Sequence, residues 1–429
     1  MRGLAIDDFQ PRPAERPADR QGPKRRKEEL TTTSMTEFLT SQLGVSVILA
    51  VLVVGALQGA VAYCIYFERK IAAWTQDRFG PNRVGPCGLF QPIADGLKFV
   101  FKEDVIPGHV DKVLFVAAPT IIFIIAFVAF AAIPWGGQLS LGGKLVDIQV
   151  ARPDIGLLYI LGVASMSVYG VVLGGWASNN KYSFYGAMRA TAQMLSYEIP
   201  MGVCILVVVL TMGTVRLEQI ALEQTGYWGG FIPQWNVFLH PVAFVILFVT
   251  ALAEANRTPF DLAEAEQELV GGYHTEYSAL KFGMFFLAEY AHMITSSAMI
   301  AVLFLGGAHL PGVSLCQPDA ATWAAVIVKM SVMAAKICAF LFVMMWIRWT
   351  IPRFRFDQLM RLAWKGLIPL TLVLFAWTTG LVYCGVHRSP GWALLGNLLA
   401  VTLSVASVSW RAAPISGRQR NMPLVGPAA

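Results

Sequence analysis

The first long apolar run of the chain, "LGVSVILAVLVVGALQGAVAYCIYF" at residues 43–67, contains no charged side chain. An α-helix needs about 20 apolar residues to cross the roughly 30 Å of hydrocarbon in a bilayer. This run is therefore predicted to be a transmembrane helix. The composition agrees, since 56% of the 429 residues are hydrophobic and only 14% are charged. Such values exclude an ordinary soluble globular protein.

Further apolar runs of similar length follow, and they predict an all-α fold: a polytopic membrane helix bundle with eight core transmembrane helices. A ninth run at residues 391–410 is weaker because Gly, Ser, Asn and Thr dilute it, so an extra helix near the C-terminus stays open. The eight runs lie at residues 43–67, 113–134, 155–176, 189–212, 237–255, 281–306, 322–347 and 365–385.

The chain divides into three predicted parts. Residues 1–37 carry eight basic and seven acidic side chains without apolar periodicity, which is typical of a disordered extension. Met35 stands just ahead of the first run, so the start is expected at Met1 or at Met35. Residues 38–385 form the helix bundle, and residues 386–429 hold the possible extra helix and a basic tail.

The distribution of Lys and Arg predicts the orientation. Basic residues accumulate in cytoplasmic loops, and the odd-numbered loops carry thirteen of them against four in the even-numbered loops. The odd loops are therefore expected in the cytoplasm. They are residues 68–112, 177–188, 256–280 and 348–364.

The cysteines and the glycine patterns argue against bound redox groups and nucleotides. The six cysteines show no CxxC spacing, so neither an iron–sulfur cluster nor a structural zinc site has a ligand set. The sequence also lacks GxGxxG after a strand and GxxxxGK[ST]. No metal, cluster, nucleotide or nucleic acid is expected on this chain, and partner proteins would have to handle electrons.

The first loop combines turns with positive charge. Gly80-Pro81-Asn82 and Gly85-Pro86 predict consecutive turns, and arginines stand around them. The following segment, "LFQPIADGLKFVFKED", predicts an amphipathic helix in the membrane interface. Its apolar face is Leu89, Phe90, Ile93, Leu97 and Phe101. A simpler interpretation is a basic loop lying on anionic lipid headgroups.

Ionisable residues inside the apolar runs are a second signal, because they cost several kcal/mol in a membrane and usually face a cavity or a partner. Glu289 and His292 are three apart and therefore on one helix face, although His292 is also readable as a packing residue. Lys329 is expected to extend to the interface. Glu198 and Lys336 lie deepest, so a functional role is favoured for these two.

The stretch "AEANRTPFDLAEAEQELVGGYHTEY" at residues 253–277 contains six carboxylates. Thr258 as N-cap, Pro259 at the first helical position and Asp261 predict a short helix start, which Gly271-Gly272 would end. Carboxylates this close titrate as a coupled set, which suits proton uptake or an electrostatic switch. The alternative is a solvated acidic loop that meets a basic partner.

Several long motifs between about residues 43 and 385 resemble the quinone-site membrane subunit, known as the H subunit, of bacterial NADH:quinone oxidoreductase, respiratory complex I. They include "ERKIAAWTQDRFGPNRVGPCGLFQPIADGLKFVFKED", "GWASNNKYSFYGAMRATAQMLSYEIP" and "RWTIPRFRFDQLMRLAWKGLIPLTL", together with the acidic stretch. The resemblance implies a multi-pass protein of the bacterial inner membrane. Its loops would form a quinone chamber with the quinone-site and iron–sulfur subunits of the peripheral arm, and its carboxylates would lead toward the proton-pumping membrane-arm subunits.

The same resemblance implies roles for individual residues. Quinone would be the substrate, membrane lipids would surround the bundle, and the redox centres would belong to partners. The implied quinone-site residues are Glu68, Arg69, Arg78, Arg83, Arg348, Arg353, Arg355 and Asp357. The implied proton-coupling residues are Glu198, Glu254, Arg257, Asp261, Glu264, Glu266, Glu268, Glu276, Glu289 and Lys336.

Two alternatives stay open from the sequence. The nearer one is the homologous membrane subunit of an energy-converting hydrogenase or of an F420H2 dehydrogenase. The more distant one is a secondary transporter, which the Gly- and Pro-interrupted runs and the intramembrane charges would also suit.

Overall fold

The computed structural model describes residues 41–141, 143–230, 232–262 and 270–411, with side chains up to residue 406. The predicted extension at residues 1–37 and the end of the basic tail lie outside these residues. Glu264, Glu266 and Glu268 of the acidic stretch also lie outside them. Within the described residues, the chain is a helix bundle with two short hairpins.

The helices occupy most of the described chain. The first seven are α1 (Gln42–Thr75), α2 (Gln91–Phe101), α3 (Lys112–Val128), α4 (Gly156–Ser165), α5 (Ser167–Ala177), α6 (Lys181–Met212) and α7 (Leu217–Glu223). The others are α8 (Asn236–Leu239), α9 (Pro241–Glu254), α10 (Ala279–Leu305), α11 (Trp323–Thr350), α12 (Phe356–Arg361), α13 (Ile368–Tyr383) and α14 (Pro390–Arg411).

Short elements connect the helices. Four 3₁₀ segments are Pro86–Gly88, Ala129–Ala132, Gly272–His274 and Ser314–Cys316, and Leu362–Leu367 is a π-helical turn between α12 and α13. Strand β1 (Gln138–Leu141) pairs antiparallel with β2 (Lys144–Asp147), with Gln138 opposite Asp147. Strands β3 (Tyr227–Trp228) and β4 (Ile232–Pro233) form a second antiparallel pair.

The predicted membrane bundle is confirmed. Seven helical segments of the described chain are long and apolar enough to cross a bilayer. The fifth predicted span is shorter than expected, because non-helical backbone at His240 separates α8 from the 14-residue α9. At 1.5 Å per residue, α9 is about 21 Å long, which is less than the hydrocarbon thickness of a typical bilayer.

Two helices extend well past their apolar runs. Helix α1 continues from the predicted end at residue 67 to Thr75, and α6 begins at Lys181 rather than at residue 189. Apolar composition sets the part of a helix that lies in lipid, whereas capping sets its ends. The Asn180 side chain accepts a hydrogen bond from the Tyr182 amide and starts α6 there. Consequently Glu68 and Arg69 stand on rigid helix rather than in a loop.

Contacts between loops agree with a chain whose successive spans cross the bundle in opposite directions. At one end of the bundle, Arg348 and Arg257 both contact Glu68 and so join the regions of the first, fifth and seventh loops. At the other end, the Ser140 amide donates to the Ala321 carbonyl over 2.9 Å, and Arg388 pairs with Glu223 at 2.9 Å. Odd-numbered and even-numbered loops therefore lie at opposite ends.

Small residues allow the central helices to approach closely, as in many membrane proteins. Helix α10 lies at the centre, and every residue from Tyr290 to Phe304 is buried. A Cβ added to Gly170 of α5 would lie 2.2 Å from the Ile122 side chain of α3, and one added to Gly175 would lie 2.3 Å from Ala187 of α6. This packing holds α3, α5, α6 and α10 together around the site described below.

The additional helix α14 packs against the bundle through specific contacts. Asn397 donates to the Leu239 carbonyl at 3.1 Å and accepts from the Val242 amide at 3.4 Å, so it serves backbone groups on both sides of the break between α8 and α9. Gly396 lies against Trp377, whose indole nitrogen donates to the Trp392 carbonyl at 3.1 Å. These contacts fix α14 against the bundle, and the ninth crossing that the sequence left open stays a prediction.

We expect α14 to bring Arg411 to the same side of the membrane as the first loop. Its 22 residues correspond to about 33 Å of helix, enough to cross the hydrocarbon. Fluorescent-protein fusions truncated after Gly385 and after Arg411 test this, because the reporter fluoresces only in the cytoplasm. Fluorescence of the Arg411 fusion alone is expected, and equal behaviour of the two fusions would rule out the crossing.

Candidate functional site

A cavity of about 930 Å³ opens between α1, the turns that follow it, α10 and α11. This volume lies within the range of pockets that enclose small organic ligands. Apolar walls come from Ile65, Ala72, Phe79, Phe286 and Trp349. Charged groups from two parts of the chain face the same space: Glu68, Arg69, Arg78, Arg83 and Arg348. Five of the eight residues assigned to the quinone site by resemblance are thus brought together.

The glycine-rich turns after α1 fold back onto that helix and close one side of the cavity. Gly88 has φ +81°, and a Cβ there would lie 2.2 Å from the Pro81 carbonyl oxygen, so a side chain is excluded by both conformation and space. The Tyr66 hydroxyl donates to the Cys87 carbonyl at 2.7 Å. The predicted turns at Gly80 to Pro86 therefore fold this segment back against α1 at the side of the cavity.

The predicted amphipathic helix is confirmed as α2. Its side chains Ile93, Leu97, Val100 and Phe101 are exposed, with Phe101 at 83%. Arg69 of α1 pairs with Asp95 of α2 at 2.7 Å. This pair fixes α2 beside the cavity.

Glu68 contributes a carboxylate with several partners to the cavity wall. Its side chain is buried, and it forms an ion pair with Arg348 and accepts a hydrogen bond from the Tyr290 hydroxyl. The Nη1 atom of Arg257 lies 3.4 Å from each of its carboxylate oxygens. Two guanidinium groups and a phenol thus stabilise its negative charge.

Arg257 also contacts a second carboxylate. Its Nη2 atom lies 3.9 Å from Oε2 of Glu289, and its guanidinium carbon lies 4.0 Å from the ring centroid of Tyr290. Only 4% of Arg257 is exposed, so water screens these interactions weakly. Arg257 is therefore shared between Glu68, which lines the large cavity, and Glu289, which lies deeper.

Glu289 lines a second, much smaller cavity of about 30 Å³ inside the bundle. The Tyr273 hydroxyl donates to Oε1 of Glu289 at 3.1 Å. Glu254, Asn256, Ser167 and His292 line the same space. The expected placement of Glu289 and His292 on one face of a helix is confirmed. Beyond this cavity, Glu198 of α6 accepts a hydrogen bond from the Ser165 hydroxyl of α4.

The start of the acidic stretch is not a helix N-terminus. Residues 258–260 form a turn and bend, so the capping-box interpretation of Thr258, Pro259 and Asp261 is wrong. Asp261 pairs instead with Arg353 at 3.0 Å, and the Phe354 amide donates to the Pro259 carbonyl at 3.2 Å. Contacts with the seventh loop outweigh local capping here.

Other predicted residues lie away from the two cavities. Glu276 accepts a hydrogen bond from the side-chain Nδ2 of Asn180 at 2.7 Å. Asp357 lies 3.8 Å from Arg361 in an exposed pair, and Arg355 is exposed at the start of α12. These three residues connect or cap surface segments in the described chain.

The lysines of α11 lie at the opposite end of the bundle. Lys336 donates to the carbonyl oxygens of Leu305 (2.7 Å), Gly307 (2.7 Å) and His309 (2.8 Å), which cap the end of α10. Glu289 lies sixteen residues before Leu305 on α10, or about 24 Å along the axis. Lys329 was expected to extend to the interface, but it is buried and donates to the Ala320 carbonyl at 2.8 Å.

Several polar residues of the site had no assignment from the sequence. The hydroxyl of Tyr290 donates to Glu68 and that of Tyr273 donates to Glu289. The only sequence signal was the position of Tyr290 next to Glu289.

Tyr277 has a different role, because it stacks on Phe115 with 4.0 Å between ring centroids. Burial raises the pKa of the Tyr277 phenol, so this side chain stays protonated and acts in packing.

The described residues contain no group of three or more His, Cys, Asp or Glu side chains that would hold a metal ion. The site instead consists of a large cavity lined by arginines and a small polar cavity. Arg257 contacts Glu68 of the first and Glu289 of the second.

Comparisons with known proteins identify the family of this chain. The family model described as NADH dehydrogenase matches residues 47–379. An H subunit of NADH-quinone oxidoreductase from Cytophaga hutchinsonii is 48% identical over 311 residues, covering 72% of this chain and 89% of that protein. The H subunit from Leptospira biflexa is 46% identical over 347 residues, covering 78% and 93%.

These relatives give no support to a secondary transporter or to a hydrogenase component. The matched region contains both cavities and every helix from the body of α1 to most of α13, whereas α14 lies beyond it. The chain belongs to the NADH dehydrogenase family as an H subunit of the enzyme complex NADH-quinone oxidoreductase.

Proposed function

We propose that the large cavity receives the head group of a quinone, which is reduced there by electrons from partner subunits. Its volume of about 930 Å³ and its apolar walls suit a ring with an isoprenoid tail. The arginines around it favour the negative charge that a quinone gains with its electrons. The peripheral-arm subunits would supply the iron–sulfur cluster and close the chamber.

The exposed face of α2 would lie in the lipid interface on the cytoplasmic side. Its exposed apolar side chains Ile93, Leu97 and Phe101, together with Leu89 and Phe90 just before it, support this placement because such faces bury in the boundary between headgroups and acyl chains. A quinone would then reach the cavity from the bilayer beside α2. This assignment puts the odd-numbered loops in the cytoplasm of a bacterium and the bundle in its inner membrane.

One observation supports the coupling of quinone reduction to proton movement: Arg257 lies between Glu68 and Glu289. Charge or proton changes in the cavity act first on Glu68, which lines it. A change in the charge of Glu68 changes the attraction between Glu68 and Arg257. It therefore changes the balance between the two carboxylates that share this arginine. The proton occupancy of Glu289 would respond, since a nearby cation favours the ionised carboxylate.

From Glu289 the carboxylates offer a route through the bundle. Glu254 shares the small cavity with it, and Glu198 lies beyond, bonded to Ser165. The route would deliver protons or a change of charge to the proton-pumping membrane-arm subunits. Asp261, Glu264, Glu266, Glu268 and Glu276 would supply protons from the cytoplasmic side. Lys336 is the weakest member of this assignment because its contacts are those of a helix cap.

A double-mutant cycle tests the proposed function. Glu68→Gln and Glu289→Gln should each lower NADH-driven quinone reduction by about tenfold, which corresponds to roughly 1.4 kcal/mol. Together they should lose less than the product of the two effects, because both carboxylates act through Arg257. NADH oxidation by a water-soluble acceptor, which does not use the quinone site, should stay unchanged in washed membranes, where it reports the partner subunits that remain bound.

The matched control is Glu103→Gln, in an exposed loop after α2. This substitution alone should leave quinone reduction unchanged. The double variant Glu103→Gln with Glu289→Gln should therefore lose only as much as Glu289→Gln alone. Full quinone reduction and proton pumping in both cavity variants would exclude the proposed function.

A further inference from the structure

The small cavity contains two buried polar atoms whose bonding is incomplete. His292 Nε2 and Ser167 Oγ have no hydrogen-bond partner among the residues that the structure describes. His292 is 7% exposed and Ser167 is 2% exposed. Leaving such a group unbonded destabilises the fold, and buried polar groups of this kind are commonly satisfied by ordered water.

The cavity has the size and the chemistry for such a water. Its volume of about 30 Å³ exceeds the roughly 10–15 Å³ that one water molecule needs. Four groups around it are able to bond a water: His292, Ser167, Glu254 and Glu289. Two neighbours already have partners, since Tyr273 donates to Glu289 and Asn256 accepts from Gln193 at 3.1 Å.

We propose that His292 and Ser167 hold a water molecule that bridges Glu289 and Glu254. In this role both are positioning residues, and the water carries the proton between the two carboxyl groups. When Glu289 releases a proton to the water, the water releases one of its own to the Glu254 carboxylate, so the water is neutral before and after the step. This inference rests on the proposed function and specifies one connection within it.

A high-resolution map of the intact, purified complex tests the site directly. A water is expected within hydrogen-bonding distance of both His292 Nε2 and Ser167 Oγ. If ordered waters are resolved elsewhere in this bundle and none lies between these two atoms, the inference is wrong. This measurement does not depend on enzyme activity.

Variants test whether the water matters. Ser167→Val places methyl groups in the cavity, whereas Ser167→Ala removes one hydroxyl and keeps the space. We expect Ser167→Val to lower coupled quinone reduction about tenfold and Ser167→Ala to retain more than half of it. Val172→Ile adds similar volume to the same helix at a position that does not line the cavity, and it should have little effect.

His292 offers a second pair. His292→Asn keeps a polar group that is able to hold the water, whereas His292→Leu does not, so the Asn variant should retain several times the rate of the Leu variant. Equal rates in the two variants would contradict the role of His292. If Glu68→Gln and Glu289→Gln lose activity while Ser167→Val and His292→Leu keep it, the proposed function stands and the water bridge is excluded.

Discussion

Arg257→Leu should reduce quinone-dependent NADH oxidation by more than about a hundredfold, and Arg257→Lys should retain a measurable fraction. Removing one member of a buried ionic group leaves the remaining charges uncompensated and costs roughly 3–5 kcal/mol of stability. The lost contact between Arg257 and the two carboxylates lowers the rate in addition, and a hundredfold loss corresponds to about 2.7 kcal/mol of activation free energy. Arg257 is 4% exposed and contacts two carboxylates. Lysine supplies the charge but not the planar fork that reaches both.

The controls for this prediction separate stability from coupling. Arg361→Leu removes an exposed arginine whose partner Asp357 lies 3.8 Å away, and such surface pairs contribute about 0–1 kcal/mol. The double variant Arg257→Leu with Glu289→Gln removes opposite charges together, so its assembly should recover while quinone-linked pumping stays lost. Assembly is measured in washed membranes as NADH oxidation by a water-soluble acceptor. Normal pumping in Arg257→Leu would contradict the role of Arg257.

The residues around the large cavity could be predicted largely from the sequence. An arginine-rich loop with paired glycine–proline turns is unusual next to a membrane span, so Arg78 was identifiable as a candidate from the sequence pattern. Glu68 and Arg348 were identified only through the resemblance to a known family. Their partners were not. Glu68 meets Arg257 across 189 positions and Arg348 across 280 positions, and only the packing of the helices determines which of these side chains meet.

The predictions that failed depended on local patterns. The capping interpretation of Thr258 and Asp261 used only neighbouring residues, and the pairing of Asp261 with Arg353 comes from a loop 92 positions away. Lys336 shows a related limit. A buried lysine in a span signals that it has a partner, but the sequence does not distinguish a carboxylate from the free carbonyl groups at a helix end.

Substitution of Gly186 should have a large effect on stability through the position of Tyr273. A Cβ at Gly186 of α6 would lie 2.6 Å from the Cα of Gly272 and 2.9 Å from the Tyr273 amide nitrogen. These are backbone atoms, which have no rotamer through which to avoid the contact. The segment Gly272–His274 would have to move, and it carries the phenol that donates to Glu289.

Gly202 gives a matched control for this prediction, since it lies on the same helix and a Cβ there has no neighbour within 4 Å. Gly186→Ala should destabilise the chain by about 1–3 kcal/mol, the usual cost of overpacking, while Gly202→Ala should be neutral. The amount of this protein in membranes and the thermal inactivation of quinone reduction measure the difference. Because the displaced turn carries Tyr273, the remaining Gly186→Ala enzyme should also show a lower quinone-reduction rate. Equal stability and equal rates in the two variants would mean that the contact between α6 and this turn does not position Glu289.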